Sequence, residues 1–145
     1  MLPTSVQKRL LPLYYIGLAL YWGEGTKSGT TLVFTNSDPD MMLLFVTFLR
    51  VICKIDEQRI KCLLHIHEGQ KDKKLKDFLV KKLSIPVSSF YKTTIHKKGK
   101  SDSTKKLEFG TISLRYYDAS LLESIMQHIN NIKSQNSSVG RATVL

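Results

Sequence analysis

Residues Tyr15–Lys27 read YIGLALYWGEGTK, and the fold turns on how this stretch is read. Leu10, Leu13, Tyr14, Gly17, Leu18, Tyr21 and Trp22 recur at helical spacing. This predicts a helix that begins between Thr4 and Pro12 and closes at Glu24 and Gly25. Ala19 and Gly23 stand at i and i+4 on it, with Gly17 close by. Small residues at that spacing strip side-chain bulk from one stripe, so a second helix backbone can approach closely. The stripe leads to Glu24, a carboxylate at the end of the helix where the macrodipole is negative. An acid placed there at local cost suggests a compensating cation. The plainer reading is an exposed Glu in a helix-ending turn, and these residues alone leave both open.

Downstream, Thr30–Asn36 (TTLVFTN) is β-branched and aromatic and reads as a strand. Asp38, Pro39 and Asp40 then form a helix start: a capping acid, a proline suited to the first turn, and an acid at the positive helix end. The helix runs to about Cys53 with Met41, Met42, Phe45, Phe48, Leu49 and Ile52 as its apolar face. Gln58–Glu68 reads as a second strand, and Lys71–Leu83 as a helix with Leu75, Phe78, Leu79 and Leu83 inward. Ser89–Lys97 reads as a third strand, Lys98–Lys105 as a polar loop, and Lys106–Tyr116 as a fourth strand. Asp118 caps a last helix to about Ile132, with Leu121, Leu122, Ile125 and Ile129 inward.

Two strand–Asp–helix units align at an offset of 80 residues, Thr31 to Leu49 on Thr111 to Ile129. They read either as a generic similarity or as a fold of two related halves. Residues 1–133 read as one domain. Residues 134–145 (SQNSSVGRATVL) lack periodicity and read as a disordered C-terminal tail.

The chain has 145 residues, 42% of them hydrophobic and 23% charged, which excludes a collagen-like or wholly disordered chain. Its formal charge of +10 is local, since residues 71–106 hold twelve lysines and three acids. Such a block reads as a solvated surface or as a nucleic-acid footprint. Cys53 and Cys62 sit in apolar runs and read as buried, reduced thiols. No signal peptide or membrane-length apolar run is visible, which predicts a soluble cytoplasmic protein without a membrane partner.

Gly17–Gly25 (GLALYWGEG) aligns without gaps on the nine-residue motif of the LAGLIDADG homing endonuclease-like family, which the chain resembles. The strand and helix after it, TTLVFTNSDPDMMLLFVTFLR, and the later LSIPVSSFYKTTIHKK are similar to the same family. The resemblance implies an α+β fold. An antiparallel sheet of about four strands would carry its helices on one face, and its concave face would track double-stranded DNA. Ala19 and Gly23 would form the dimer interface, and Glu24 would be the catalytic acid and the Mg²⁺ ligand. One motif per chain implies a homodimer for a complete site. Trp22 departs from the motif, which has an acid or a small polar residue there.

On this reading the protein is a DNA-binding protein, with metal-dependent phosphodiester hydrolysis as a possible activity. Lys92, Lys97, Lys98 and Lys100, together with Lys27, would contact phosphates. The alternatives are an inactive DNA-binding regulator or an RNA-binding splicing cofactor on the same scaffold. His65 and His67, at i and i+2 on a strand, suggest a further site with Glu68 and His96. Their spacing matches no zinc signature, and contact with phosphate is the equal alternative.

Overall fold

The computed structural model describes residues 1–97 and 109–143. Over these residues the chain is α+β, with four helices and a four-stranded mixed sheet in the order β1-β4-β2-β3. The helices are α1 (Leu11–Glu24), α2 (Pro39–Val51), α3 (Asp72–Leu83) and α4 (Ala119–Thr143). The strands are β1 (Thr31–Asn36), β2 (Lys61–His67), β3 (Thr94–His96) and β4 (Thr111–Tyr117).

The strands alternate as period 2 demands. Leu32 and Phe34 of β1, Cys62, Leu64 and Ile66 of β2, and Ile112, Leu114 and Tyr116 of β4 point inward. They join one buried cluster with Leu18 and Tyr21 of α1, Met42, Phe45, Phe48 and Leu49 of α2, Leu79 and Leu83 of α3, and Leu122, Ile125 and Ile129 of α4. Each such large side chain contributes about 1.5–3 kcal/mol through burial. The helices thus lie on one face of the sheet, and among the described residues no helix covers its other face.

Local chemistry sets the helix starts. The Asp38 carboxylate accepts from the Asp40 amide at 2.9 Å, and that of Asp118 from the Leu121 amide at 3.0 Å. Each satisfies a donor that the first turn leaves unpaired. The two similar units therefore share their cap as well as their pattern. Their strands, β1 and β4, are antiparallel neighbours, with Thr31 opposite Tyr117 and Asn36 opposite Ile112.

Four expectations need correction. The sheet is mixed, because β3 pairs parallel to β2, with His65 opposite Thr94 and His67 opposite His96. The reason is α3: a helix between two strands carries the chain back to its starting end, so the second strand runs in the same direction. The third strand is also shorter than Ser89–Lys97. A 3-10 turn at Val87–Ser89 and a single bridge between Phe90 and Cys62 take up its first residues.

Phe78, expected inward, is 37% exposed and stacks on Phe109 at 4.8 Å. The last correction concerns the tail, because α4 runs to Thr143 in place of ending near Ile132. Extending a formed helix is far easier than starting one, and no proline intervenes. Asn136 and Ser137 also donate side-chain hydrogen bonds one turn back, to the carbonyls of Ile132 and Lys133, both at 2.8 Å. The loop expected at Lys98–Lys105 and the start of the fourth strand at 106–108 lie outside the described residues. Among the described residues no helix is long and apolar enough to cross a membrane.

Candidate nucleic-acid interface

The open face of the sheet is built from the alternate strand positions. β1 supplies Thr31, Val33 and Thr35, and β4 supplies Thr111, Ser113, Arg115 and Tyr117. β2 supplies Lys61, Leu63, His65 and His67, and β3 supplies Thr94 and His96. These positions hold cations, imidazoles, hydroxyls and the apolar Val33 and Leu63, and no acid. The Thr35 and Ser113 hydroxyls bond each other at 2.7 Å across the β1–β4 ladder. Arg59, just before β2, donates to the Tyr117 carbonyl and lies over the Tyr116 ring at 4.9 Å. A face of donors and positive charge without carboxylates suits a polyanion.

At one end of this face the histidines meet. His65 Nδ1 lies 3.2 Å from His96 Nε2, and the two rings stack with centroids 5.5 Å apart. His67 lies 6.2 Å from His96, ring to ring. They line a shallow cavity of about 430 Å³ with Thr35, Gly110 and Thr111. Partial burial pushes the pKa of His65 below 6.5, and the neighbouring charges of His96 and Arg115 push it the same way. Gly110 has φ +69°, and a Cβ there would come within 2.5 Å of the His65 carbonyl oxygen. Only glycine lets β4 begin this close to β2. Among the described residues no group of three His, Cys, Asp or Glu side chains is placed to hold a metal ion.

The motif helix α1 has two faces. Gly17 turns inward, where the Phe48 ring of α2 presses against it, and Leu18 and Tyr21 are buried beside it. Ala19 and Gly23 face outward, and a Cβ on Gly23 would meet nothing within 4 Å. The small residues therefore sit in two settings: Gly17 packs α1 against α2, while Ala19 and Gly23 are exposed. Tyr15 (51% exposed), Ile16 (42%) and Trp22 (47%) stand on or beside this outward stripe. Tyr15, Ala19 and Trp22 also line an apolar groove of about 200 Å³ with Leu18, Ile129 and Ile132 of the same chain. Bulky Tyr21 and Trp22 thus part company, one filling the core and the other facing water with the Lys133 amine 5.5 Å above its ring.

Glu24 ends α1, exposed, and the chain then turns into the sheet edge. Gly25 bridges Phe34, and the Thr26 amide donates to the Val33 carbonyl at 3.0 Å. Gly25 is required here, because a Cβ would sit 2.3 Å from the Tyr21 ring. The Lys27 amine caps the same helix end, donating to the carbonyls of Tyr21 at 3.3 Å and of Gly25. It is the cation that offsets the negative helix end beside Glu24. Lys27, expected on phosphate, is thus engaged by the backbone.

The lysine block is divided. Five of its lysines belong to α3, which packs on α2, and two of these are paired: Lys76 with Asp72 at 3.4 Å and Lys82 with Asp40 at 2.6 Å. Lys92 and Lys97 are exposed on either side of β3. Lys98 and Lys100 lie outside the described residues. Sequence reasoning missed Lys61, Arg115 and Thr35, although period 2 along KCLLHIH and TISLRYY marks the first two as facing away from the core. Nothing local marks the approach of His96 to His65, which lies 31 residues earlier in the chain. Comparison with known protein families, curated proteins and solved structures finds no match to this chain.

Proposed function

We propose that this protein binds duplex DNA on the open face of its sheet and pairs with a second copy through α1. The observation that carries the reading is the helix-free face itself, which presents Lys61, Arg115, three histidines and several hydroxyls with no carboxylate among its strand positions. The pairing rests on α1. Its only ionisable side chains are Glu24 and three tyrosines, yet Tyr15, Ile16, Ala19, Trp22 and Gly23 face outward. An apolar helix left half bare calls for a partner, and small residues permit close approach by an identical stripe. The resemblance of residues 17–25 to the LAGLIDADG motif supports the same arrangement.

The test is fluorescence anisotropy of a labelled duplex. Replacing Lys61 and Arg115 together by alanine weakens binding at least about tenfold and lowers the slope of log affinity on log salt by about 2. Unchanged affinity and slope in that variant refute the assignment of the face. If a structured RNA outcompetes the duplex, the partner is RNA and not DNA.

A second reading, Mg²⁺-dependent cleavage, rests on the place of Glu24 at the end of the outward stripe. A lone exposed carboxylate gives a hard oxygen donor of the type Mg²⁺ takes, but only half of a site. Glu24 from each of two copies would supply the protein's carboxylate donors, with water filling the remaining positions. The metal would supply water activation and stabilisation of the leaving oxygen. Glu24→Gln abolishes cleavage and leaves anisotropy unchanged. A wild-type protein that binds duplex yet never cuts it in Mg²⁺ refutes this second reading.

A further inference from the structure

We infer that the His65–His96 pair, with the hydroxyls of Thr35 and Thr111 beside it, is a seat for one phosphodiester group and takes up a proton when that group binds. The inference rests on the duplex-binding reading and adds a site and a pH dependence to it.

The pair constrains its own protonation. Two ring nitrogens 3.2 Å apart need one hydrogen between them, so one ring donates and the other accepts. The bond survives in the neutral pair and in the singly charged pair. A second proton would set two N–H groups against each other. Among the described strand positions of this face, the fixed charges near the pair oppose its protonation. Arg115 of β4 is a fixed positive charge, while Lys61 and His67 lie on the same face of β2. Lys97 follows β3, and β1 contributes only the uncharged Val33 and Thr35. Glu68, one residue past His67, is the carboxylate at this end of β2, and its amide donates to the His96 carbonyl at 3.1 Å. Burial, His96 and Arg115 together hold His65 below its ordinary value. Without a ligand His65 is therefore neutral at pH 7.

An oxyanion in the cavity changes the balance. It offsets the repulsion from Arg115 and between the two rings, and it accepts from the imidazolium N–H groups. The cavity, at about 430 Å³, has room for a phosphate group. Binding and protonation then favour each other, because an anion that raises the pKa of a group must bind more tightly once the group is charged. A backbone phosphate of a duplex lying across the sheet is the occupant that fits the rest of the face.

The test is an NMR titration of the four imidazoles between pH 5 and 8. It is run with the protein alone, with sulfate as a non-titrating tetrahedral oxyanion, and with a 20-base-pair duplex, alongside anisotropy over the same pH range. The expected result is that sulfate and duplex each raise the titration midpoints of His65 and His96 by about 1 unit. His128 on α4 stays put. Duplex affinity falls as pH rises from 6 to 8, by up to about tenfold per unit for one linked proton. In His65→Asn, which keeps a polar group on the open face, that slope disappears. If sulfate shifts the pair but duplex never binds, the proton-coupled oxyanion seat stands and the duplex reading fails. If duplex binds with pH-independent affinity and unmoved midpoints, the seat is refuted and the duplex reading stands. A His65→Asn protein that keeps the full pH slope also refutes the seat, and so does failure of both probes to move either midpoint.

Discussion

Gly17 and Gly23 lie six residues apart on one helix, and the structure gives alanine opposite effects at the two. At Gly17 a Cβ would lie 2.1 Å from Cγ and Cδ2 of Phe48. Carbon atoms in contact sit about 3.5–4.0 Å apart, so the ring would have to retreat by about 1.4 Å or more. Phe48 is fully buried, its ring is 5.8 Å from that of Phe45, and Phe45 stacks on Phe34 at 4.1 Å. Overpacking of this kind costs about 1–3 kcal/mol. Exchanging glycine for alanine within a helix returns up to about 1 kcal/mol. Gly17→Ala is therefore less stable by about 1–2 kcal/mol, which lowers the melting temperature by roughly 3–8 °C in a chain of this size.

Gly23 has no such neighbour, so Gly23→Ala keeps the helix gain and melts at or slightly above wild type in dilute solution. Where the chain pairs, the same methyl group stands in the proposed seam. Gly23→Ala then lowers the dimer fraction seen in sedimentation. Thermal melts followed by circular dichroism at low micromolar protein decide the first part. A Gly17→Ala protein that melts at or above wild type refutes the inward assignment of Gly17. A dilute Gly23→Ala protein that melts well below wild type refutes the outward one.

Arg50 ties α2 to the end of α3: it meets Glu57 at 2.5 and 3.0 Å and donates to the carbonyls of Leu83 at 2.8 Å and Ser84 at 3.0 Å. Arg50→Ala costs about 2 kcal/mol in urea denaturation, whereas Glu57→Gln costs under about 1 kcal/mol, because its exposed ion pair is screened; equal losses would place the stabilisation in the ion pair. His128 is held below 6.5 by burial, so at pH 7 it is neutral and accepts the Tyr14 hydroxyl proton at 2.6 Å. Its unfolded form binds protons first as pH falls, so this stability is complete above pH 6.5 and drains away below it. The melting difference between wild type and His128→Asn therefore narrows from pH 7 to pH 5, and a gap that widens would mean that His128 is charged in the fold.

The sequence made the elements legible where chemistry is local. The Asp38 and Asp118 caps, the buried faces of α2 and α4, and the alternation along β1 all follow from neighbours within a turn or a strand. Strand direction did not, because a parallel pair depends on how α3 carries the chain across the core. The helical course of residues 134–143 was hidden because exposed helix needs no apolar period. At the candidate site, GLALYWGEG marked Ala19, Gly23 and Glu24 as one stripe but could not say that Gly17 faces the other way. That depends on Phe48, which lies 31 residues further on. The lysine count was misleading for a related reason. Net charge is blind to topology, and five of those lysines sit on a helix of the covered layer, while Lys61 and Arg115, outside the block, stand on the open face.

The order β1-β4-β2-β3 fixes what the two candidate sites can do together. Gly25 bridges the free edge of β1, so Glu24 stands one residue outside that edge. The His65–His96 pair joins β2 to β3, at the opposite edge. With strands about 4.8 Å apart, the Gly25 backbone and β2 are about 14 Å apart across the sheet. If two copies pair through α1, both Glu24 carboxylates lie toward the shared axis and both histidine pairs lie toward the outer ends. A duplex crossing both sheets would meet the histidines far from the axis and the carboxylates near it. Distance of this size makes the two contributions independent. On the proposed readings, proton-coupled grip at the outer ends would not depend on the central acids. A single chain without the seam would keep the histidine pair but only half of the acid pair, so loss of pairing would remove cleavage before it removed binding.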